Sequence, residues 1–338
     1  MVDLTGFSPW LCARPEVRTD GVAARIRLGK RRVQSVLDTH TVANQKTLEQ
    51  KISDQGPGDL RVDPHLLGLA IRDLREQRRL AIHTHPSTAT LQWFSNLATS
   101  SARAQAKLST IAPLYAETTS DGFGNLIGDA LEIAVYKCLL EVEREKPRYS
   151  FQGKFDLSGP KNNQNRYNKS DPPKTVSNNT TTKQADFLQF GYDQGHVCIE
   201  CKNYREWIYP NSKTIKDTIV KSYELGSIPL LVARRIHYST FSNLLKPSGI
   251  IGHQTLFQYY PADKADFAAQ IKHKDGIGFS DVMATETPHR LTREFFRDHL
   301  PEVVSVAAIR WARTKELLYE YATDQVDLST VYLALKDI

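Results

Sequence analysis

Glu200 and Lys202 stand two residues apart at the end of the run His196 to Lys202, and Asp186 precedes them across a short turn. Successive side chains of a strand alternate faces, so Glu200 and Lys202 point one way while Ile199 and Cys201 point the other. A carboxylate and an ammonium in an otherwise apolar strand are costly to bury unless they have partners or a task. Two β-rich runs, 185–190 and 196–202, flank Gly191-Tyr192-Asp193-Gln194-Gly195, the signal of a hairpin. Pairing those strands brings Asp186 to the other two groups. Two carboxylates suit Mg²⁺, which prefers oxygen ligands and keeps several waters, and the lysine can then orient or activate an attacking water. The plainer alternative is an exposed Glu–Lys pair on an edge strand, which would be energetically minor.

The pattern of Asp, thirteen residues, then Glu-x-Lys resembles the PD-(D/E)xK nuclease superfamily, which includes restriction endonucleases and the archaeal Holliday junction resolvases. The likeness spans roughly residues 121–262 and departs from the motif at Ala185, where it has proline. It implies an α/β fold with a restriction-endonuclease-like core, a mixed central sheet flanked by helices. Asp186 and Glu200 would hold Mg²⁺, with Mn²⁺ able to substitute, and Lys202 would serve the reaction. The first core helix of the superfamily often carries a glutamate that aids the metal. A helix is expected over 125–143, with Ile127, Ala130, Leu131, Ala134, Val135 and Cys138 as its apolar stripe. Glu132 lies beside that stripe and matches the role, with Asp129 one turn away as second choice.

Other elements expected of such a core follow in order. Tyr149–Leu157 reads as the first strand. Residues 158–183 are nearly devoid of apolar side chains and read as a long mobile loop, whose Lys161, Arg166, Lys169, Lys174 and Lys183 could face DNA. Asn203 and Arg205 follow the motif strand at once, where the resemblance implies phosphate contacts. A helix is expected over 212–226, closed by Gly226, then an apolar strand at 228–234 buried on both faces. A short helix at 240–245 and a strand within 249–260 complete the core.

Ahead of it, residues 14–33 form a basic run containing Arg14, Arg18, Arg25, Arg27, Lys30, Arg31 and Arg32, either an arm that tracks phosphates or a solvated helix face. Thr41–Ile52 reads as a helix, and Asp63-Pro64 as the cap and first turn of a second. LAIHTHPSTATLQWF then suggests two short strands. Helix, turn, helix and hairpin resemble a winged helix-turn-helix module, which implies that Arg72, Arg75 and Arg78 face DNA. Docking on the nuclease or dimerisation is the alternative use of this domain. Three segments are thus expected: 1–110, basic and winged-helix-like; 121–284, the nuclease core; 285–338, C-terminal helices. In the last, Val303, Val304, Ala307, Ile309 and Leu317 pack on the core or build a dimer interface.

A net charge of +6 over 338 residues hints at a polyanionic partner. Cys198 and Cys201 form a CxxC, but three residues apart on a strand they face opposite sides, so zinc is not expected. No signal peptide or membrane-length apolar run is present, which makes no membrane and a cytoplasmic location the default. No GxxxxGK(S/T) loop occurs, so no nucleotide cofactor is expected. The expected function is a Mg²⁺-dependent DNA endonuclease, a metal-dependent deoxyribonuclease acting on double-stranded DNA as a homodimer. A sequence-specific restriction-type enzyme leads. A structure-selective resolvase or repair nuclease, an RNA nuclease and a non-catalytic DNA-binding protein are the rivals.

Overall fold

The computed structural model describes residues 21–54, 60–88, 90–159, 167–273 and 275–336. Arg14, Arg18, Lys161 and Arg166 lie outside them. The chain divides into two units, one of the described residues up to Ser120 with Asp266–Val282, the other of Asp121–Ala265 with Met283–Ile338.

The first unit opens with α1 (Val22–His40), β1 (Ala43–Asn44), α2 (Gln45–Glu49) and α3 (Pro64–Glu76). β2 (Leu80–His83), β3 (Trp93–Asn96) and α4 (Ser101–Thr118) follow. Its strands pair antiparallel in the order β1-β3-β2. Val33, Leu37, Leu48, Ile52, Leu66 and Leu67 form one buried cluster under them. α3 starts where its cap dictates: Asp63 accepts from the His65 N–H at 2.9 Å, and Pro64 supplies the first turn. The helix expected over 41–52 begins later. Asn44 stays extended, and its side chain caps α2 by accepting from the Thr47 N–H at 2.8 Å. Much of the expected basic arm is helix α1, and part of its charge is used internally. Arg25 is buried with its guanidinium on the Arg61 carbonyl, and Lys30 pairs with Asp73 at 2.8 Å.

The second unit begins with α5 (Asp121–Glu145), β4 (Phe151–Gln152), β5 (Lys154–Asp156), β6 (Asn168–Ser170), β7 (Thr175–Val176) and β8 (Asn179–Thr180). Next come β9 (Phe187–Tyr192), β10 (Gly195–Lys202), α6 (Lys213–Glu224), β11 (Ile228–Ala233), α7 (Lys246–Ser248), β12 (Ile251–Gln254) and β13 (Gln258–Tyr260). α8 (Ala265–Lys272) lies, from Asp266 on, in the segment 266–282 that clusters with the first unit, where Phe279 meets Tyr115 edge-on, whereas 121–284 is expected to be continuous. β14 (Val282–Ala284), α9 (Arg290–Glu294), α10 (Leu300–Ala322) and α11 (Leu328–Lys336) close the chain.

A five-stranded sheet, β12-β11-β10-β9-β4, forms the frame of this unit. β10, β11 and β12 run parallel, while β9 is antiparallel to both β10 and β4. β11 is buried along its whole length, as its unbroken apolar run requires. Ile199, Cys201, Leu230 and Val232 pack with α5, and Leu231 and Ala233 pack with α6. Each such buried aliphatic side chain contributes roughly 1.5–3 kcal/mol relative to exposure. The hairpin turns at Asp193-Gln194, and Gly191 beside it has φ +100° with the Arg148 carbonyl where a Cβ would sit. The first strand is broken into β4 and β5 at Gly153. Within the expected mobile loop, 167–183 instead holds β6 and the β7–β8 hairpin. The Thr175 and Thr180 hydroxyls bond to each other across the β7–β8 hairpin at 3.0 Å, and Val176 packs against the cluster of Ala185, Leu188, Cys198 and Leu225.

The molecule is thus a mixed α/β protein. Among the described residues, no helix is long and apolar enough to cross a membrane.

Candidate active site

Three carboxylates and three ammonium groups gather where β10 ends. Glu200 leaves β10 on the side covered by α6 and is 4% exposed. Its Oε1 meets Lys202 Nζ, and its Oε2 meets Lys221 Nζ from α6. Lys221 also donates to the Gln184 carbonyl at 2.9 Å. Such a buried carboxylate stays ordered only with charged partners on both oxygens.

Asp186 sits immediately before β9. Its Oδ2 accepts from the Cys201 backbone N–H at 2.6 Å, and its own N–H donates to the Ile199 carbonyl at 3.2 Å. Those two bonds fix the side chain against the end of β10. Gly153 makes room for it: at φ +99°, a Cβ there would lie 2.6 Å from the Asp186 carbonyl. Glu132 reaches from α5 to Lys169 Nζ at 2.6 Å, and the same ammonium is 3.9 Å from Asp186 Oδ1. Lys169 is held on β6, with its ammonium 4.8 Å from the centre of the Phe187 ring.

Electrostatics follow from this crowding. Burial, then repulsion by Glu132, pushes the Asp186 carboxyl above its ordinary value. Burial, then repulsion by Asp186, does the same to Glu200. Burial raises Glu132 as well, opposed by Lys169. Burial acts to lower Lys202, yet Glu200 and Asp186 together outweigh it and raise the ammonium above its ordinary value. Lys169 is raised against burial by Glu132 and Asp186. Lys202 is the most open member, its side chain 28% exposed, against 17% for the side chain of Asp186 and 5% for that of Glu200.

Carboxylate oxygens from Asp186, Glu200 and Glu132 are the donor type that Mg²⁺ takes, so the residues fit that ion chemically. Among the described residues these three carboxylates, though neighbours, are not drawn to one point as a metal-binding group. The carboxylates close on ammonium groups instead, and Lys169 lies between two of them.

Asp186, Glu200, Lys202 and Glu132 are therefore brought together. Asn203 and Arg205 are not free for phosphate in the way expected. The Asn203 amide donates to the Ile127 and Tyr259 carbonyls at 2.5 and 2.7 Å and accepts from the Tyr259 N–H at 3.0 Å. It is a buried tie between the end of β10, α5 and β13. Arg205 donates to the Gln258 side chain at 3.0 Å. Arg72 and Arg75 are exposed on α3, while Arg78 follows the helix in a left-handed turn at φ +53°. Cys198 and Cys201 pack into different clusters on the two faces of the sheet.

Sequence reasoning missed Lys221 and gave Lys169 only a place in a DNA-facing loop. For Lys221 a signal existed: it falls in line with the buried Thr214 and Thr218 on α6 and with Leu225 just past its end. A lysine on a helix's buried side needs a partner. Lys169 carried no local signal, because its polar neighbours say nothing about which site a short hairpin will reach.

No family model matches this sequence, and no curated protein matches it. Among solved structures, protein VC1899 from Vibrio cholerae aligns with 87% of this chain and 58% of its own, at 11% identity and a TM-score of 0.27. This chain thus spans under two thirds of that protein, and at such similarity two chains need not share a fold.

Proposed function

We propose that the second unit is a metal-dependent nuclease core acting on DNA. The observation that carries this is the meeting of Asp186, Glu200 and Lys202 at the end of β10 with Glu132 from the helix that precedes the sheet. The succession α5, β4, β9, β10, α6, β11, β12, with the motif on the central antiparallel pair, supports a PD-(D/E)xK core of the restriction-endonuclease type. The succession α1, β1, α2, α3, β2, β3 with sheet order β1-β3-β2 supports a winged-helix-like first unit. There the exposed Arg72 and Arg75 of α3 are suited to DNA phosphates or base edges.

Asp186 and Glu200, aided by Glu132, would hold Mg²⁺ or Mn²⁺. An ion held there would supply neutralisation of phosphate charge and acidification of water. Cys201 keeps the Asp186 carboxylate aimed by its backbone N–H. Lys221 holds one Glu200 oxygen. Lys202 keeps its proton at neutral pH, because its carboxylate neighbours raise it. Its work would be to orient water and to stabilise charge on the phosphate oxygens. Site-specific cleavage of double-stranded DNA fits a chain that joins such a core to a separate DNA-reading unit.

The test is incubation of the purified protein with supercoiled plasmid and phage DNA, with Mg²⁺ or EDTA, beside Lys202→Ala. Discrete Mg²⁺-dependent fragments lost in the variant are expected. Nicking or cleavage confined to branched DNA would move the reading to a structure-selective nuclease. Intact DNA despite binding would overturn the nuclease.

A further inference from the structure

Helix α10 has two apolar sides, and its own chain covers one of them. Val304, Ala307, Trp311 and Leu318 face inward and are buried. On the other side Val303, Val306 and Ile309 are 39, 50 and 57% exposed. Their spacing of three residues places them in one stripe. Beside the stripe, a cleft of about 500 Å³ reaches toward the start of edge strand β12, with Phe241, Ile251, Gly252 and Phe295 in its wall. The apolar surface therefore continues off the helix.

Charge at the two ends of this stripe has opposite sign. Glu302 lies four residues before Val306, and Arg310 lies four residues after it. The two charges are thus about 12 Å apart along the axis, with Val306 midway. A two-fold axis through Val306 lays α10 antiparallel on a second α10. Val306 then meets its own copy, each Val303 meets an Ile309, and each Glu302 meets an Arg310. His299 and Arg313 fall opposite one another further out and set no opposing carboxylates together. A parallel arrangement would stack Glu302 on Glu302 and Arg310 on Arg310. A partner of uniform charge would be repelled at one end. Only a surface carrying the same pattern in reverse satisfies both ends, and the chain itself provides one.

We propose that this face of α10 binds a second copy of the chain, antiparallel about Val306, in a self-complementary interface. It assigns outward-facing Val303, Val306 and Ile309 to the interface, and leaves Val304 and Ala307 in the fold. The proposal does not depend on the nuclease reading, and mass measurements test it whether or not the protein cuts DNA.

Sedimentation equilibrium of the full chain at micromolar concentration is expected to give a dimer mass. Val306→Asp places two like charges on the axis and should weaken association about 100-fold without changing the circular dichroism spectrum. Glu302→Arg and Arg310→Glu should each weaken it about tenfold, and the double variant should recover most of the loss. Arg310 also donates to the Lys246 carbonyl at 2.9 Å, a bond lost in both the single and the double variant, so recovery isolates the pairing. In a Cys12→Ser background, Val306→Cys should form an intermolecular disulfide under mild oxidation. A wild-type chain that stays monomeric, a dimer that survives Val306→Asp, a charge swap without recovery, or failure of the cysteine pair to form would each overturn the proposal.

Discussion

Charge is handled in opposite ways at the end of β10 in the second unit and at Arg72 and Arg75 of α3 in the first. In the second, Glu200 and Lys221 are drawn out of water together, and Lys202 closes on the other Glu200 oxygen from the more open side. In the first, Arg72 and Arg75 stand exposed on α3, and no ion pair engages them among the described residues. Buried charges cost several kcal/mol each unless matched, so the chain can keep them only in a fixed geometry. Exposed arginines cost nothing and keep their field for an outside partner. One arrangement suits chemistry at defined atoms. The other suits attraction of a polyanion.

That contrast can be broken by separating turnover from binding. Lys202→Ala is expected to lower single-turnover cleavage about 10³-fold, with DNA affinity by fluorescence anisotropy nearly unchanged. A similar loss of affinity would remove Lys202 from the chemistry. Next in size is stability. Lys221→Met leaves one Glu200 oxygen without its buried partner and should cost about 3 kcal/mol in urea unfolding. Arg75→Ala should stay within about 0.5 kcal/mol. If the two variants unfold alike, the burial contrast has no energetic content.

The paired substitution Arg72→Ala/Arg75→Ala should weaken DNA binding about tenfold and reduce the salt slope of log K by about 2, one per lost phosphate contact. Unchanged salt dependence would take α3 off the DNA. The smallest effect concerns pH. Asp186, Glu200 and Glu132 are held above their ordinary values, mainly by burial. Between the ordinary and the raised value the native chain binds more protons than the unfolded one, so stability falls as pH rises through that window. Glu132→Gln should remove part of this fall, seen as a smaller change in melting temperature across that window. A melting temperature that rises with pH in the wild type would contradict the sign.

Much of the frame was legible from local pattern. The hairpin announced itself through Gly191, Gly195 and two β-rich runs, and β11 through its unbroken apolar run. Asp63-Pro64 marked the start of α3. Local pattern failed where a distant partner set the structure. Asn203 looked like a loop residue near a site, but its amide is claimed by Ile127 and Tyr259, both more than fifty positions away. β6 and the β7–β8 hairpin form within a stretch whose composition promised none.

By itself, the sequence determined the alternation that sets Glu200 and Lys202 on one face of β10 and Cys201 on the other, because a strand's two-residue repeat is a local property. It also determined that 285–338 would be helical. Tertiary structure alone decided that Lys169 stands between Glu132 and Asp186, and that Lys221 closes the far side of Glu200. It alone decided which stripe of α10 the chain would cover and which it would leave exposed. Those outcomes depend on where separate elements end in space, and the balance of burial against charge that fixes them is struck only once all are present.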